Sequence, residues 1–209
     1  MNIGKSIQTV ILDIDDTLYL ERDYVKSGFY AVGKALQMPE FGQKCWSLFH
    51  AGVRGNTFDL AKADFPQISS PTSELVRIYR EHKPDIQLCS DAKSFIESTS
   101  CRLGLVSDGP VASQRAKYQA LGLVPWIDCP IFTQEIGAPK PALCAFQLVA
   151  WTLNTPETAC VYIADNPHKD FAGPKALGMH TIRIRRPGSL HESTPSGADV
   201  DEEWTHFKF

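Results

Sequence analysis

Five short apolar segments of strand length recur along this chain, and they constrain its fold more than any other feature. The segments are TVILDI (9–14), RLGLVS (102–107), CPIFT (129–133), CVYIA (160–164) and HTIRI (180–184). Such runs are typical of strands buried on both faces of a parallel sheet. Helical patterns separate them, so we predict an α/β fold with helices on both faces of that sheet. Ligands of such sheets bind beyond the carboxyl ends of the strands.

Two of the helical patterns have recognisable ends. Four residues recur at helical spacing before Gly122, namely Val111, Arg115, Tyr118 and Leu121. A glycine is common just past the end of a helix, so this helix is expected to end there. Pro141 is suited to the first turn of the next helix, whose predicted apolar face is formed by Phe146, Val149 and Leu153.

A long segment after the first strand breaks this alternation. Residues 19–85 contain no convincing strand, and Val25, Phe29, Val32 and Leu36 recur at helical spacing. Ser70 and Pro71 suit the cap and first turn of a helix that runs to Tyr79. We therefore predict a small helical insert at 19–85 and an α/β core made of residues 1–18 and 86–209. The polar segment from about 186 is expected to be a loosely packed tail, with Trp204 and Phe207 pinned to the core.

Composition excludes several functional classes. The 209 residues carry a formal net charge of -3, which argues against general nucleic-acid binding. No apolar stretch is long enough to span a bilayer, and no secretory signal is visible at the N-terminus. The six cysteines are scattered singly, without the close spacing of metal or redox pairs. These features predict a cytoplasmic protein that binds neither nucleic acid nor membrane.

Three carboxylates crowd the end of the first predicted strand. Asp13 and Asp15 should project to the same side if the strand conformation continues through them, whereas Asp16 should point into the turn. Two converging carboxylates require a cation or a shared proton. Mg²⁺ is satisfied by one or two carboxylates, water and a substrate phosphate. A polar turn with capping aspartates is the alternative reading of these residues alone.

Reactive groups also follow the later strands. Ser107, Asp108 and Gly109 come between a strand and a helix, where a hydroxyl and free amides suit phosphate, although such residues are often plain caps. Lys140 lies between two prolines and is expected at the same edge of the sheet. Asp165 directly follows the fourth strand, as Asp13 follows the first. These groups together predict a site for a phosphoryl group and a metal ion.

In this order the motifs resemble those of the haloacid dehalogenase (HAD) superfamily, which consists mostly of phosphatases. The resemblance covers residues 9–171 and rests on four motifs: DIDDTL (13–18), Ser107, Lys140-Pro141, and Asp165 with Asp170. It implies a Rossmann-like core and identifies the helical insert as a C1-type cap. Ala164 is a departure, because a glycine often precedes the first acidic residue of the fourth motif.

The resemblance also implies roles for these residues. Asp13 corresponds to the nucleophile that becomes an aspartyl-phosphate, and Asp15 to the general acid and base. Phosphate would be bound by Ser107, Asp108, Gly109 and Lys140. Mg²⁺, the implied cofactor, would be bound by Asp13, the Asp15 backbone carbonyl and Asp165. Supporting positions around the site would be Asp170, Thr17 and Asn166.

Four other functions are alternatives to a phosphatase. A receiver domain of two-component signalling would have its phosphoacceptor on a later strand and would leave the insert unexplained. A 2-haloacid dehalogenase needs neither Asp15 nor the metal, so the presence of Asp15 argues against it. A phosphomutase shares the core and differs in the cap, and a catalytically silent scaffold is disfavoured because all key residues are present.

The expected reaction is therefore Mg²⁺-dependent hydrolysis of a phosphate monoester. The expected partner is a small phosphorylated metabolite, either a sugar phosphate or a nucleotide, because a small cap suits small substrates. Polar residues of the insert that are candidates for contacting the leaving group are Arg22, Lys26, His50, Arg54 and Asn56.

Overall fold

A computed structural model describes residues 7–208; residues 1–6 and 209, the outermost parts of the predicted core, lie outside that range. Six parallel strands form one sheet in the order β3-β2-β1-β4-β5-β6. The strands are β1 (Thr9–Leu12), β2 (Arg102–Ser107), β3 (Cys129–Phe132), β4 (Cys160–Ala164), β5 (His180–Ile184) and β6 (Glu202–Trp204). This confirms the predicted α/β fold and all five predicted strands.

Helices flank the strands in the chain. The α-helices of the described residues are α1 (Glu21–Ala35), α2 (Pro39–His50), α3 (Thr57–Ala63), α4 (Thr72–Glu81), α5 (Ser90–Ser98), α6 (Val111–Ala120), α7 (Cys144–Thr152) and α8 (Ala172–Ala176). The described chain contains no helix with both the length and the apolar character needed to cross a bilayer. The chain divides into two compact units, a helical unit of residues 22–86 and a core formed by the rest.

The centre of the core is an apolar cluster between the sheet and α7. Ile11 of β1 and Tyr162 of β4 pair in the sheet and are both fully buried in this cluster. Phe146 and Val149 pack onto them from α7. At Gly104 of β2 an added Cβ would lie 2.3 Å from Val149 Cγ1, so only glycine allows this close packing of helix on strand. The central strands are therefore held rigidly, which fixes the loops at their ends.

The helix α7 differs from its prediction at one end. Its buried residues include Phe146 and Val149 as expected. It begins at Cys144, however, and Pro141 lies in the preceding turn. The residues from 138 to 143 therefore form a turn that carries Lys140 rather than the first turn of a helix.

The helix α6 has the predicted bounds but a different buried face. Gly122 follows its end with φ +67°, as the prediction of a glycine past the helix required. Its buried residues are Ser113, Gln114 and Lys117, and Arg115 is exposed. Val111, Arg115 and Tyr118, which mark this helix in the sequence, are not among its buried residues. The polar face of α6 is the one that turns toward the carboxyl ends of the strands.

The segment from about 186 is more ordered than the loosely packed tail that was predicted, and its expected anchors, Trp204 and Phe207, are in place. Residues 202–204 form β6, which extends the sheet beside β5. Trp204 and Phe207 are buried, and the Phe207 N–H donates to Asp91 Oδ2 at 2.7 Å. The fully buried Arg183 guanidinium donates to the carbonyls of His191 and Thr194, at 2.7 Å each. These hydrogen bonds from Arg183 hold the polar residues 191–194 against the core.

The helical unit has its own apolar core. The Phe29 ring of α1 meets the Phe58 ring edge-on, at 5.6 Å between centroids, and Phe58 also stacks on Phe41. The predicted helix with buried Val25, Phe29 and Val32 is thus confirmed as α1. The helix predicted from Ser70 begins at Thr72 with Pro71 at its N-cap. The cap prediction was wrong, since Pro71 has no side-chain group that could bond the first amides.

Candidate active site

The carboxyl ends of β1 and β4 bring three buried carboxylates together around one lysine. Asp13 follows β1 and Asp165 follows β4, and with Asp170 each offers an oxygen within 4.8 Å of the others. Lys140 Nζ lies 3.0 Å from Asp13 Oδ1 and 2.7 Å from Asp170 Oδ1. Four of the predicted site residues therefore occupy one buried cluster.

Hydrogen bonds hold Lys140 and Asp170 in fixed orientations. Lys140 Nζ donates to the Tyr162 hydroxyl at 3.1 Å, and Tyr162 lies on the central strand β4. The Asn166 N–H donates to Asp170 Oδ2 at 2.8 Å, so the predicted supporting residue acts through its backbone. Its side-chain Oδ1 accepts from the His168 N–H at 3.0 Å. Asp170 thus has one oxygen at Lys140 and the other at this turn.

Negative charge in the cluster exceeds the charge that one lysine neutralises. Burial raises the pKa of Asp13 to about 6, with Lys140 opposing and Asp170 adding to the rise. Burial, followed by repulsion from Asp13, Asp170 and Asp16, raises the pKa of Asp165 to about 9. Burial alone would lower the pKa of Lys140, but Asp13 and Asp170 raise it well above its ordinary value. These shifts indicate a deficit of positive charge.

A hard divalent cation fits this deficit. The donors are carboxylate oxygens, which Mg²⁺ prefers, and no softer ligand contributes to the group. Asp170 already accepts from the Asn166 N–H and pairs with Lys140. Asp13 and Asp165 are therefore the side chains best placed to bind the ion.

Replacing Asp165 by asparagine is expected to raise the melting temperature of the metal-free protein at pH 8. The folded pKa of about 9 lies above the ordinary value of 3.8, so the folded state binds this proton more tightly than the unfolded chain. The carboxyl group therefore lowers stability progressively as pH rises from about 4 to about 9. The gain should shrink as pH falls toward 4, where the unfolded chain also begins to bind this proton. Thermal unfolding in EDTA at pH 4.5 and pH 8 measures this.

The matched control is Asp199→Asn, which removes an exposed carboxylate from the same unit. Mg²⁺ should stabilise the wild type more than the Asp165 variant, because a ligand stabilises only the state that binds it. Equal melting temperatures for wild type and Asp165→Asn at pH 8 would contradict the repulsion inferred here.

The Asp15 carboxylate pairs with Lys117, whereas the Asp13 carboxylate pairs with Lys140. Lys117 Nζ donates to both carboxylate oxygens of Asp15, at 2.7 and 2.8 Å. Gln114 Nε2 donates to Asp15 Oδ2 at 3.1 Å, and the Tyr19 hydroxyl donates to Oδ1. Burial would raise the pKa of Asp15, but Lys117 and the other donors lower it. The crowding is tolerated because separate lysines neutralise the two carboxylates.

The metal contact predicted for Asp15 involves its backbone carbonyl, and it stays a prediction. The side chain of Asp15 does not belong to the three-carboxylate group found among residues 7–208.

The residues at the end of β2, predicted to bind phosphate, also make contacts within the protein. Ser107 is buried, and its hydroxyl donates to Gln114 Oε1 at 3.0 Å. The Asp108 carboxylate accepts from the Lys140 N–H and from Lys169 Nζ, at 3.1 Å each, and so fixes neighbouring loops. Gly109 has φ +129°, and a Cβ there would lie 2.8 Å from Gln114 Nε2. Glycine is favoured at 109 because other residues rarely adopt this φ, and the Gln114 amide packs over the turn.

The end of the first motif is tied to the C-terminal segment. Asp16 lies in the turn as predicted, with φ +51°, and is buried. Its Oδ1 accepts from the Glu21 N–H at 2.8 Å and its Oδ2 from the Leu190 N–H at 2.7 Å. Thr17 is fully buried, and its carbonyl accepts from Arg186 Nε at 2.7 Å. No hydrogen-bond partner for the Thr17 hydroxyl is found in the described part of the chain.

Several residues of the site were missed in the sequence. Tyr162 stands inside an apolar strand, and that pattern predicts only a core residue. Gln114 and Lys117 lie one turn apart on α6, directly after the Ser-Asp-Gly turn. A polar stripe at helical spacing behind a candidate phosphate loop was the available signal. Lys169 stands between the acidic residues of the fourth motif and ion-pairs with Asp108.

Comparisons with known proteins identify the family of this chain. Residues 10–184 match the family model of the haloacid dehalogenase-like hydrolases. A glyceraldehyde 3-phosphate phosphatase from Methanocaldococcus jannaschii is 33% identical over 197 residues, covering 85% of each chain. A ribulose-1,5-bisphosphate 5-phosphatase from Halopiger xanaduensis is 28% identical over 115 residues, which cover 54% of this chain and 48% of that one.

A solved structure shows the same fold. The HAD-hydrolase YfnB from Bacillus subtilis, bound to magnesium, matches with a TM-score of 0.69 and 17% identity, covering 97% of this chain and 96% of that one. The family suggested by the four sequence motifs is therefore confirmed. The match over residues 10–184 and the identity to a full-length relative show that this chain belongs to the haloacid dehalogenase-like hydrolase family.

Proposed function

We propose that the protein is a Mg²⁺-dependent phosphatase that hydrolyses a phosphate monoester of a small metabolite through a phosphorylated Asp13. The observation that carries the proposal is the buried cluster of Asp13, Lys140, Asp165 and Asp170 at the carboxyl edge of the sheet. A carboxylate can approach an anionic phosphoryl group only where fixed positive charge offsets the repulsion. The cluster supplies one buried lysine and a ligand set suited to a divalent cation.

The first half of the reaction transfers the phosphoryl group to the enzyme. The Asp13 carboxylate oxygen forms a bond to phosphorus while the bond between phosphorus and the leaving oxygen breaks. Asp15 would give a proton to that leaving oxygen, so the product departs as an alcohol. Because burial would raise the pKa of Asp15 but Lys117 lowers it, this step draws on the minority protonated form of the free enzyme. Lys140 would neutralise charge on Asp13 and on the transferring oxygens. Mg²⁺ held by Asp13, Asp165 and the Asp15 carbonyl would supply further charge neutralisation.

The second half regenerates the carboxylate. Asp15, now ionised, would take a proton from a water molecule that attacks phosphorus, and the bond to Asp13 breaks. Ser107 and the amides of Asp108 and Gly109 would hold the phosphoryl oxygens in both halves. Inorganic phosphate leaves and the proton remains on Asp15 for the next cycle.

The proposed substrates are phosphorylated sugars rather than nucleotides. The two relatives described above are named for a triose phosphate and a pentose bisphosphate, both small sugar phosphates. We propose that the helical unit, inserted after the first motif, selects the leaving group as a cap. A cytoplasmic location is part of this proposal.

Turnover is expected to require Mg²⁺. Purified protein should hydrolyse an aryl phosphate and at least one sugar phosphate with Mg²⁺, and exhaustive chelation should abolish this, because buried carboxylates would then repel the substrate. Released phosphate is measured across a panel of triose, pentose and hexose phosphates and nucleotides. Ca²⁺ at equal concentration is the control for nonspecific ionic effects, since it prefers longer bonds and more ligands.

Two results would contradict the proposed function. Full activity after chelation would show that the reaction needs no metal ion. Halide release from 2-haloacids without any phosphatase activity would instead favour a dehalogenase, and a phosphorylated isomer as the product would favour a phosphomutase.

A further inference from the structure

Asp15 is held by three donors that all belong to the core unit. We call Tyr19, Gln114 and Lys117 the Asp15 clamp. Lys117 contacts both carboxylate oxygens, while Gln114 and Tyr19 contact one each. The Lys117 side chain is 4% exposed and that of Asp15 is 22% exposed. The clamp therefore contacts both carboxylate oxygens, while the Asp15 side chain as a whole stays partly exposed.

If its only role were to stabilise the fold, the buried ion pair of Lys117 and Asp15 would be energetically unfavourable. Burying a lysine requires desolvation, and an ion pair recovers that cost only with good geometry and further hydrogen bonds. Here the polar face of α6 is buried although the helix has apolar residues available, such as Val111 and Tyr118. Placing Lys117 against a partly exposed aspartate is better explained by what it does to Asp15.

The clamp also links the first and second motifs. The Ser107 hydroxyl donates to Gln114 Oε1, and Gln114 Nε2 donates to Asp15. Because the amide has one acceptor and one donor end, a shift of Asp15 would disturb the contact to Ser107. The residue assigned to phosphate binding and the residue assigned to proton transfer are thereby held in a fixed relation.

We propose that Lys117 is a positioning residue, which with Gln114 fixes the Asp15 carboxylate so that it meets first the leaving oxygen and then the attacking water. The proposal rests on the phosphatase function proposed above. Lys117 acts through Asp15 and touches neither substrate nor metal. Loss of this positioning is expected to slow the steps that need Asp15 by about 10²-fold, the size of effect that a displacement near 1 Å can have.

A double-mutant cycle on phosphoenzyme breakdown tests this. An activated aryl phosphate loads the enzyme, excess substrate is removed, and intact-protein mass spectrometry after acid quench follows the loss of the added phosphate. Lys117→Met should slow breakdown about 10²-fold in the wild-type background. In the Asp15→Asn background it should have little further effect, because the residue through which it acts is gone.

Conservative and control variants separate positioning from mere stability. Lys117→Arg should recover part of the lost rate, since it keeps the charge with a different geometry. Arg115→Met removes an exposed cation from the same helix, where Arg115 pairs with Glu135, and should leave breakdown unchanged. If Lys117→Met does not fold, Gln114→Leu should show the same coupling to Asp15→Asn at smaller size.

Three outcomes would overturn the inference. Wild-type breakdown in a folded Lys117→Met variant is the first. The second is an additive cycle, together with a raised KM, which would mean that Lys117 binds substrate directly. The third is a wild-type protein that hydrolyses no phosphate monoester; the proposed function then fails, and the role of Lys117 fails with it. An active, Asp13-dependent enzyme with an additive cycle overturns the inference alone.

Discussion

Replacing Asp13 by asparagine is expected to abolish phosphatase turnover while the protein remains folded. The variant lacks the oxygen nucleophile, because an amide cannot form the phosphoryl intermediate that the proposed mechanism needs. Losses on the order of 10⁶-fold are seen when a hydrolase loses its covalent nucleophile. Folding should persist because Asp13 is buried among like charges, and Lys140 retains Asp170 at 2.7 Å.

The measurement is turnover of an aryl phosphate with Mg²⁺, combined with thermal unfolding in EDTA. Burial raises the pKa of Asp13 to about 6, so at pH 8 the folded state holds an unfavourable charge there, and asparagine should not lower the melting temperature. Asp199→Asn serves as the matched control, with wild-type activity expected. Turnover near the wild-type rate in the Asp13 variant would show that another group is the nucleophile.

The fold could be predicted from the sequence wherever burial is uniform. Strands buried on both faces appear as short apolar runs, which is why β1 to β5 were all identified. The strand β6 has the sequence EEW at the edge of the sheet, with a burial pattern in which only Trp204 is buried. An edge strand of three residues gives no apolar run, so its sequence looks like a polar tail.

The site could be predicted only in part, for a similar reason. Asp13, Lys140 and Asp165 directly follow strands or lie in constrained turns, so topology alone brings them to one edge of the sheet. Lys117 lies in the middle of a helix, where a lysine is ordinarily solvated. Its burial depends on the rotation of α6, which hydrophobic periodicity does not predict because the buried face of this helix is polar. Local rules fail where a polar group is buried for chemistry.

Replacing Asp15 by asparagine is expected to impair both halves of the reaction, but unequally. General acid–base assistance is commonly worth about 10²–10⁴-fold, so alkyl phosphates, whose leaving oxygen needs a proton, should react slowly. An aryl leaving group needs little protonation, so phosphorylation of Asp13 by an aryl phosphate should suffer less. Hydrolysis of the intermediate still requires a base for water. The variant should therefore accumulate phosphorylated enzyme when it is given an aryl phosphate.

The contacts of Asp15 indicate a companion variant for this test. The amide oxygen of an asparagine can still accept from Lys117, but its amino group would face the donors that now bond the second carboxylate oxygen. Asp15→Glu is therefore a useful companion: it keeps the ionisable group but displaces it from the clamp, and a partial recovery of breakdown would show that both charge and position matter. Rapid acid quench and intact-protein mass spectrometry measure the added phosphate.

Mg²⁺ stabilisation should persist in both variants, since the proposed metal contact is the Asp15 backbone carbonyl. If Asp15→Asn hydrolyses aryl and alkyl phosphates as fast as the wild type, then Asp15 takes no part in proton transfer, and Lys117 and Gln114 hold only a turn.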